Sequence, residues 1–426
     1  MKGSCCIARD ADSFFFDLKE KNMKKIVLMM LFVAVAMSGM AQKKGFEYKI
    51  YGQVRADLFY NSRANEESVD GLFYNYPKDY NYDAAGEDLN AQAQGNMYML
   101  YSRLGIDLKG PKLGDATTSA KIEFDFRGSG TTLSLIRLRH AYLNLNWGSS
   151  SLLVGQTWNP LYGDVAPQIL NLNMGAPFQP FGRAPQVRYR YNAAGIQVTA
   201  AALWQSQYLS NGPDGKSNKY IKNSLVPEFY FGVDHKTSNF IVGAGVDVLS
   251  LVPRTQATVD GNVYKVSERI TTVSGEVHVK YTSQLWHVAA KSVLGSNLTQ
   301  VSMVGGYGVK AVDATTGEQQ YSPNRNSSSW VNVVYGKKWK AGIFAGYMKN
   351  LGTDDAVSKM YGTGTNVDQL LSGSVELTYN LPHWKIGVEY NHTKAWYGKL
   401  NGENGKIVDT HDVANNRLVA SVLYMF

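Results

Sequence analysis

Cysteine is nearly absent from the 426 residues: Cys5 and Cys6 are the only two, and both precede the one sustained apolar run. Disulfide scaffolding and thiol catalysis are excluded for everything downstream. Long apolar runs are missing too. The single run, Ile26 to Met37, has twelve residues, short of the roughly 20 that a helix needs to cross a bilayer, so a helical membrane bundle is excluded. Charged residues make up only 18% of the chain, and no G-x-S-x-G, no H-E-x-x-H and no glycine-rich phosphate loop occurs. That leaves no catalytic signature. No cofactor, no metal and no nucleic-acid partner is expected.

What is abundant is glycine (41), tyrosine (27) and aromatic residues generally, at 12%, a composition suited to strands and turns. The apolar run follows Met23-Lys24-Lys25 and ends in Ser38-Gly39-Met40-Ala41. These are the basic, apolar and small-residue regions of a Sec signal peptide cleaved after Ala41. Residues 1–41 are read as a leader, with translation beginning at Met23 and 1–22 an upstream extension; a short structured extension is the alternative. Residues 42–426 form one domain, with no cysteine at the cleavage point to carry a lipid. The leader holds six Lys/Arg and four Asp/Glu, so the net charge falls from +8 to +6 on maturation.

The mature chain alternates with period two. In Lys121-Ile122-Glu123-Phe124-Asp125-Phe126-Arg127 the charges take every odd position and the apolar residues every even one. A row of charges on one strand face cannot sit in a protein core, so that face meets water and the other an apolar phase. Segments of this kind fall at 46–60, 96–109, 117–127, 133–147, 151–158, 183–192, 194–204 and 225–235. They continue at 238–249, 267–282, 285–295, 327–336, 339–349, 368–380, 383–395 and 412–426. The count is sixteen, and short linkers (148–150, 236–238, 282–284, 337–338, 381–382) alternate with long ones. An all-β fold follows: a transmembrane antiparallel barrel in outer-membrane lipid, with short periplasmic turns and long extracellular loops. Tyr281 with Trp286, Tyr335 with Trp339, and Tyr379 with Trp384 bracket three short turns, as an interfacial aromatic girdle does. The chain ends in Tyr424-Met425-Phe426, which resembles the C-terminal signal that the barrel-assembly machinery recognises in outer-membrane proteins.

The third long linker, 159–182 (NPLYGDVAPQILNLNMGAPFQPFG), is rich in proline, glycine and apolar residues, where an exposed loop would be polar. It is expected to fold into the lumen and narrow it; packing against a neighbouring subunit is the alternative. Its place is similar to that of the inward third loop of general Gram-negative porins. Around it Arg55, Arg103, Arg127, Arg137, Arg139, Arg188 and Arg190 are the candidate pore-lining residues. Arginine stays charged, and its planar fork takes a carboxylate two-pronged. Asp57, Asp107, Glu123 and Asp125 could pair with these arginines into a purely structural ladder. Against that, the third loop brings a single acid, Asp164, so the eyelet is expected to be net positive and to favour anions. Arg137 and Arg139 share parity with apolar Leu143, Leu145 and Trp147, which calls for a bulge near Ala141.

The stretch from Lys121 to Tyr191, with RLRHAYLNLN, LLVGQTWNPLYGD and APFQPFGRAPQVRYRY, resembles the DcaP-like porins. The resemblance implies a trimeric, sixteen-strand channel for dicarboxylates and other small anionic solutes, with an arginine-lined constriction and an inward third loop. It implies passive diffusion of small hydrophilic solutes and no enzyme activity. The N-terminal coiled coil that such proteins can carry has no counterpart here, because the first strand follows almost directly on Gln42. Competing functions are an adhesive or structural barrel with a blocked lumen, and a barrel-borne hydrolase. A TonB-dependent transporter is disfavoured by the missing plug and by too few strands.

Overall fold

The computed structural model describes residues 45–128 and 134–426; the leader and residue 133, where the fourth expected strand begins, lie outside the described residues. The segment Val367–Asn380 shows what the alternation achieves. Its Leu371, Val375 and Leu377 are 46%, 56% and 47% exposed, while Ser372, Ser374, Glu376 and Thr378 between them are at most 7% exposed. A strand in a water-soluble protein would do the reverse. This one presents its apolar face to hydrocarbon and its polar face to the interior.

Sixteen such strands run antiparallel in chain order. The first eight are β1 (Glu47–Asn61), β2 (Arg103–Leu113), β3 (Ala116–Asp125), β4 (Arg137–Asn146), β5 (Ser150–Trp158), β6 (Arg183–Ala193), β7 (Ile196–Leu203) and β8 (Glu228–Lys236). The second eight are β9 (Phe240–Leu251), β10 (Ile270–Thr282), β11 (Trp286–Ser296), β12 (Gln319–Gly336), β13 (Trp339–Gly352), β14 (Val367–Asn380), β15 (Trp384–Leu400) and β16 (Ile407–Met425). β16 pairs back onto β1, from Gln53 opposite Met425 to Asn61 opposite Arg417, and closes the barrel. Closure matters because an open sheet edge in hydrocarbon would leave backbone N–H and C=O groups unpaired. At the seam the backbones of Gly52 and Phe426 exchange hydrogen bonds of 3.0 and 3.1 Å. Among the described residues no helix is long and apolar enough to cross a membrane.

The strands lie within a few residues of the expected segments, with two informative differences. The segment expected at 96–109 is broken: Gln94–Tyr98 pairs with the far end of β1, Arg103 opens β2, and the chain leaves the ladder between them. β12, β15 and β16 run longer than the alternation indicated, and the start of β12 joins Gly305–Val312 and Lys359–Thr363 in a small sheet among the long loops. At the short-turn end the bracketing aromatics pair across neighbouring strands. Trp286 meets Tyr335 with ring centroids 4.6 Å apart, and Trp339–Tyr379 and Trp384–Tyr424 each meet at 4.8 Å. They form one belt facing outward.

The interior is not empty. Val165, Ile169 and Phe178 of the segment 159–182 pack with Trp330, Phe344, Met348 and Leu370 of β12, β13 and β14. Those contacts account for the segment's apolar composition: its side chains are buried against the inner wall.

Candidate pore constriction

The segment 159–182 leaves β5 and returns to β6, and its neck is closed by the Asn159 N–H donating to the Gly182 carbonyl at 2.9 Å. From there it crosses to the opposite wall. Glu389 of β15 accepts from the backbone N–H of Leu170 at 2.7 Å and of Asn171 at 2.9 Å, while Arg55 of β1 donates to the Leu170 carbonyl at 2.7 Å. Asn332 of β12 accepts from the Gln168 N–H at 2.8 Å, and Trp330 Nε1 donates to Gln179 Oε1 at 2.8 Å. A loop inside a barrel has to find partners for its backbone, and wall side chains supply them here.

On the β1–β6 side the chain between Gln94–Tyr98 and β2 turns Tyr101 inward, and four guanidinium groups stand around its ring. Arg103, Arg127, Arg139 and Arg55 lie 4.5, 5.2, 5.2 and 5.3 Å from its centroid, within cation–π range. A register shift puts both Arg139 and His140 on the buried face: Glu123 is opposite His140 and Phe124 opposite Leu138, so Arg139 is the extra residue. The change of face on β4 is therefore made by a bulge just ahead of Ala141.

Much of this cluster is internally paired. Arg55 chelates Asp57 at 2.8 and 2.9 Å, Arg137 grips Asp125 at 2.9 and 2.6 Å, and Arg139 spans Glu123 at 2.5 Å and Asp125 at 2.8 Å. Arg103 reaches Glu123 at 3.7 Å. The structural ladder is thus real, but it is incomplete. Arg127 is 2% exposed, and its Nε and Nη1 meet no acceptor among the described residues. Burial, with Arg137 nearby, pushes its guanidinium down to about 10, so it is still a cation at neutral pH. Arg183, which the alternation did not single out, is 1% exposed, lies 4.6 Å from the Trp158 ring and donates to the Tyr208 hydroxyl at 3.0 Å. Six arginines (Arg55, Arg103, Arg127, Arg137, Arg139, Arg183) therefore share three carboxylates (Asp57, Glu123, Asp125). A cavity of about 600 Å³ beside the inward loop is lined by Arg55, Arg103, Lys121, Arg139, Lys385 and a single acid, Glu123, among other residues. Arg103 and Lys121, with side chains 21% and 26% exposed, border this cavity, and Lys121 is itself paired with Asp107 at 2.9 Å.

Arg188 and Arg190 do not join that cluster. They line a second cavity of about 310 Å³ with Ser119, Asn144 and Asn146, nearer the short-turn end of β6. Asp164 belongs to this lower group. Lys236 reaches its carboxylate at 2.6 Å and Arg190 at 3.7 Å, and Lys280 donates to its carbonyl at 2.7 Å. Burial alone would raise the Asp164 carboxyl, but Arg190, Lys236 and Arg188 outweigh it and hold it at about 2. The one acid of the loop is thus spent on the lower basic group and does not face the arginines around Tyr101.

Residues 39–243 match the family model described as DcaP outer membrane protein, and the crystal structure of the outer membrane channel DcaP of Acinetobacter baumannii superposes with a TM-score of 0.65. It is 20% identical over 90% of this chain and 99% of that one. Over residues 39–243 the chain is DcaP-like, and its fold is that of an outer-membrane porin barrel. The fold is shared more widely. OmpT of Vibrio cholerae in its trimer form matches at TM-score 0.52 and 14% identity, covering 90% of this chain and 100% of that one. OmpF of Salmonella typhi in complex with daunomycin matches at TM-score 0.50 and 12% identity, covering 90% and 98%. No curated protein sequence matches the chain.

In this DcaP-like barrel the alternation placed Arg55, Arg103, Arg127, Arg137, Arg139, Arg188 and Arg190 on inner faces, but it did not single out Tyr101, Arg183 or the lysines as site residues. Tyr101 sits in a break that interrupts the pattern. Arg183 directly follows the loop, and its neighbour Ala184 is buried as well. Lys121, Lys236 and Lys280 were visible as inward-parity basic residues on β3, β8 and β10, and weighing lysine with arginine would have found them.

Proposed function

We propose that the barrel passes small hydrophilic anions, dicarboxylates among them, by passive diffusion through the basic constriction beside residues 159–182. The observation that carries this reading is the imbalance of six arginines against three carboxylates on the β1–β6 side, four of the arginines standing around Tyr101. The lower group, Arg188, Arg190, Lys236 and Lys280 against Asp164 and Asp234, extends the basic wall toward the short-turn end. In a confined, partly dehydrated passage such a surplus raises the local concentration of anions and repels cations. Arg103 and Lys121 supply the exposed donors that a carboxylate meets in transit.

The reading includes a homotrimer, as the trimer form of the Vibrio OmpT supports by fold. It also includes export by a leader cleaved after Ala41 and assembly through the barrel-assembly machinery acting on Tyr424 and Phe426. The mass of protein purified from outer membranes is expected to correspond to a chain starting at Gln42; a larger chain retaining the apolar run would contradict cleavage. Proteoliposome flux tests the transport reading. A small dicarboxylate should enter faster than a diamine of similar size, and equal rates or the reverse order would refute the charge assignment. No flux of either solute would favour a barrel whose loops act in adhesion.

A further inference from the structure

Away from the basic wall, Glu228 of β8 and Asp247 of β9 lie side by side, each 1% exposed. The charged group that each faces is the other. Asn159, at the neck of the inward loop, donates its Nδ2 to Glu228 Oε1 at 3.1 Å. Both oxygens of Asp247 lack a hydrogen-bond donor among the described residues. Gln300, 3% exposed, brings its side-chain amide against Glu228, yet neither its oxygen nor its nitrogen completes a hydrogen bond. Across the two ladders Asp247 stands between Tyr230 and the buried Ser274, and Leu203 is opposite Glu228; Tyr230 and Leu203 belong to one buried cluster with Leu161, Val293, Leu298 and Val301.

Two carboxylates buried without a counter-charge are costly as anions. A single shared proton would join one pair of oxygens and leave the second Asp247 oxygen and the Gln300 oxygen still unpartnered. A hard divalent cation takes carboxylate and amide oxygens together and gives the Asp247 and Gln300 oxygens their partner at once, leaving the Gln300 nitrogen beside Glu228. We propose that Glu228, Asp247 and the Gln300 side-chain oxygen form a divalent-cation site of calcium type.

Its position gives it a consequence for the pore. Asn159 ties the site to the loop neck, and Gln300 belongs to the short turn Thr299–Val301, whose Val301 carbonyl accepts from the Phe181 N–H at 2.6 Å. A cation there joins three parts: the β8–β9 wall, both ends of the inward loop and an external segment. It therefore holds the constriction in place irrespective of which solute the channel passes.

The test is calcium titration calorimetry on the full-length protein in detergent, stripped with EDTA and exchanged into chelator-free buffer. Wild type should take up one more calcium per chain than Asp247→Asn, and Gln300→Ala, which lies outside the barrel wall, should weaken that site by about tenfold or more. Wild type alone gives a second readout that needs no variant: calcium should raise its melting temperature and reduce single-channel current fluctuations relative to EDTA. Equal calcium stoichiometry in wild type and Asp247→Asn would overturn the proposal. So would a wild-type melting temperature that responds to pH but not to calcium, because the pair would then share a proton only.

Discussion

Glu389→Ala isolates the hold of the wall on the inward loop. Glu389 Oε2 accepts the Leu170 and Asn171 backbone N–H groups at 2.7 and 2.9 Å, and all three residues are buried. Truncation leaves the Asn171 N–H without an acceptor and the Leu170 N–H with only Glu376 beside it, at roughly 1–3 kcal/mol each, so the anchored loop should lose at most roughly 2–6 kcal/mol relative to a displaced one. The Arg55 bond to the Leu170 carbonyl remains, which argues for the lower half of that range. A loss of about 3 kcal/mol raises the displaced population by about a hundredfold. In planar bilayers the variant should show larger mean conductance and more current noise than wild type. Its melting temperature should hardly change, since the strand ladders are intact. Conductance and noise indistinguishable from wild type, in protein shown to be folded, would refute the claim that this carboxyl anchors the constriction.

Two further perturbations probe other parts of the account. Asp164→Asn frees Arg190 from its carboxylate partner, leaves Lys236 only Asp234 at 3.7 Å, and should raise anion preference at neutral pH, read as a shifted reversal potential. Because Asp164 is held at about 2, it stays charged above the usual carboxylate range, and its ion pairs are lost only as pH falls toward that value. Selectivity contributed by this group should therefore stay flat from neutral pH to about pH 4; a change centred on the ordinary carboxylate pKa would contradict it. At the seam, a Cβ on Gly52 would lie 2.6 Å from the Arg103 carbonyl and 2.7 Å from the Phe426 ring. Gly52→Val should accordingly lower both the yield of assembled barrel and its thermal stability, and a wild-type yield with unchanged melting would show that the terminal aromatic does not need that space.

Much of the barrel was legible because lipid outside and water inside force a strict two-residue period, and that period survives in segments such as Lys121–Arg127 and Leu371–Thr378. Turn lengths fixed the direction of each strand for the same reason. What stayed hidden breaks the period or depends on distant chain. Tyr101 occupies a gap in the ladder, so its role as the centre of four arginines had no local signature. The bulge on β4 was detectable as a parity conflict, though its position at Arg139 was not. The separation of Arg188 and Arg190 from the upper cluster follows from strand stagger, which side-chain parity does not encode. Asp164 was identified as the loop's only acid, but its pairing with Lys236 of β8 depends on the path of the loop across the lumen.

The sign of the pore's field is read directly from the reversal potential of the purified protein in a planar bilayer under a salt gradient. Anion selectivity is expected in wild type, and a smaller preference when Arg188→Ala and Arg190→Ala are combined, with the Tyr101 cluster left to supply the remainder. A cation-selective wild-type channel would contradict it.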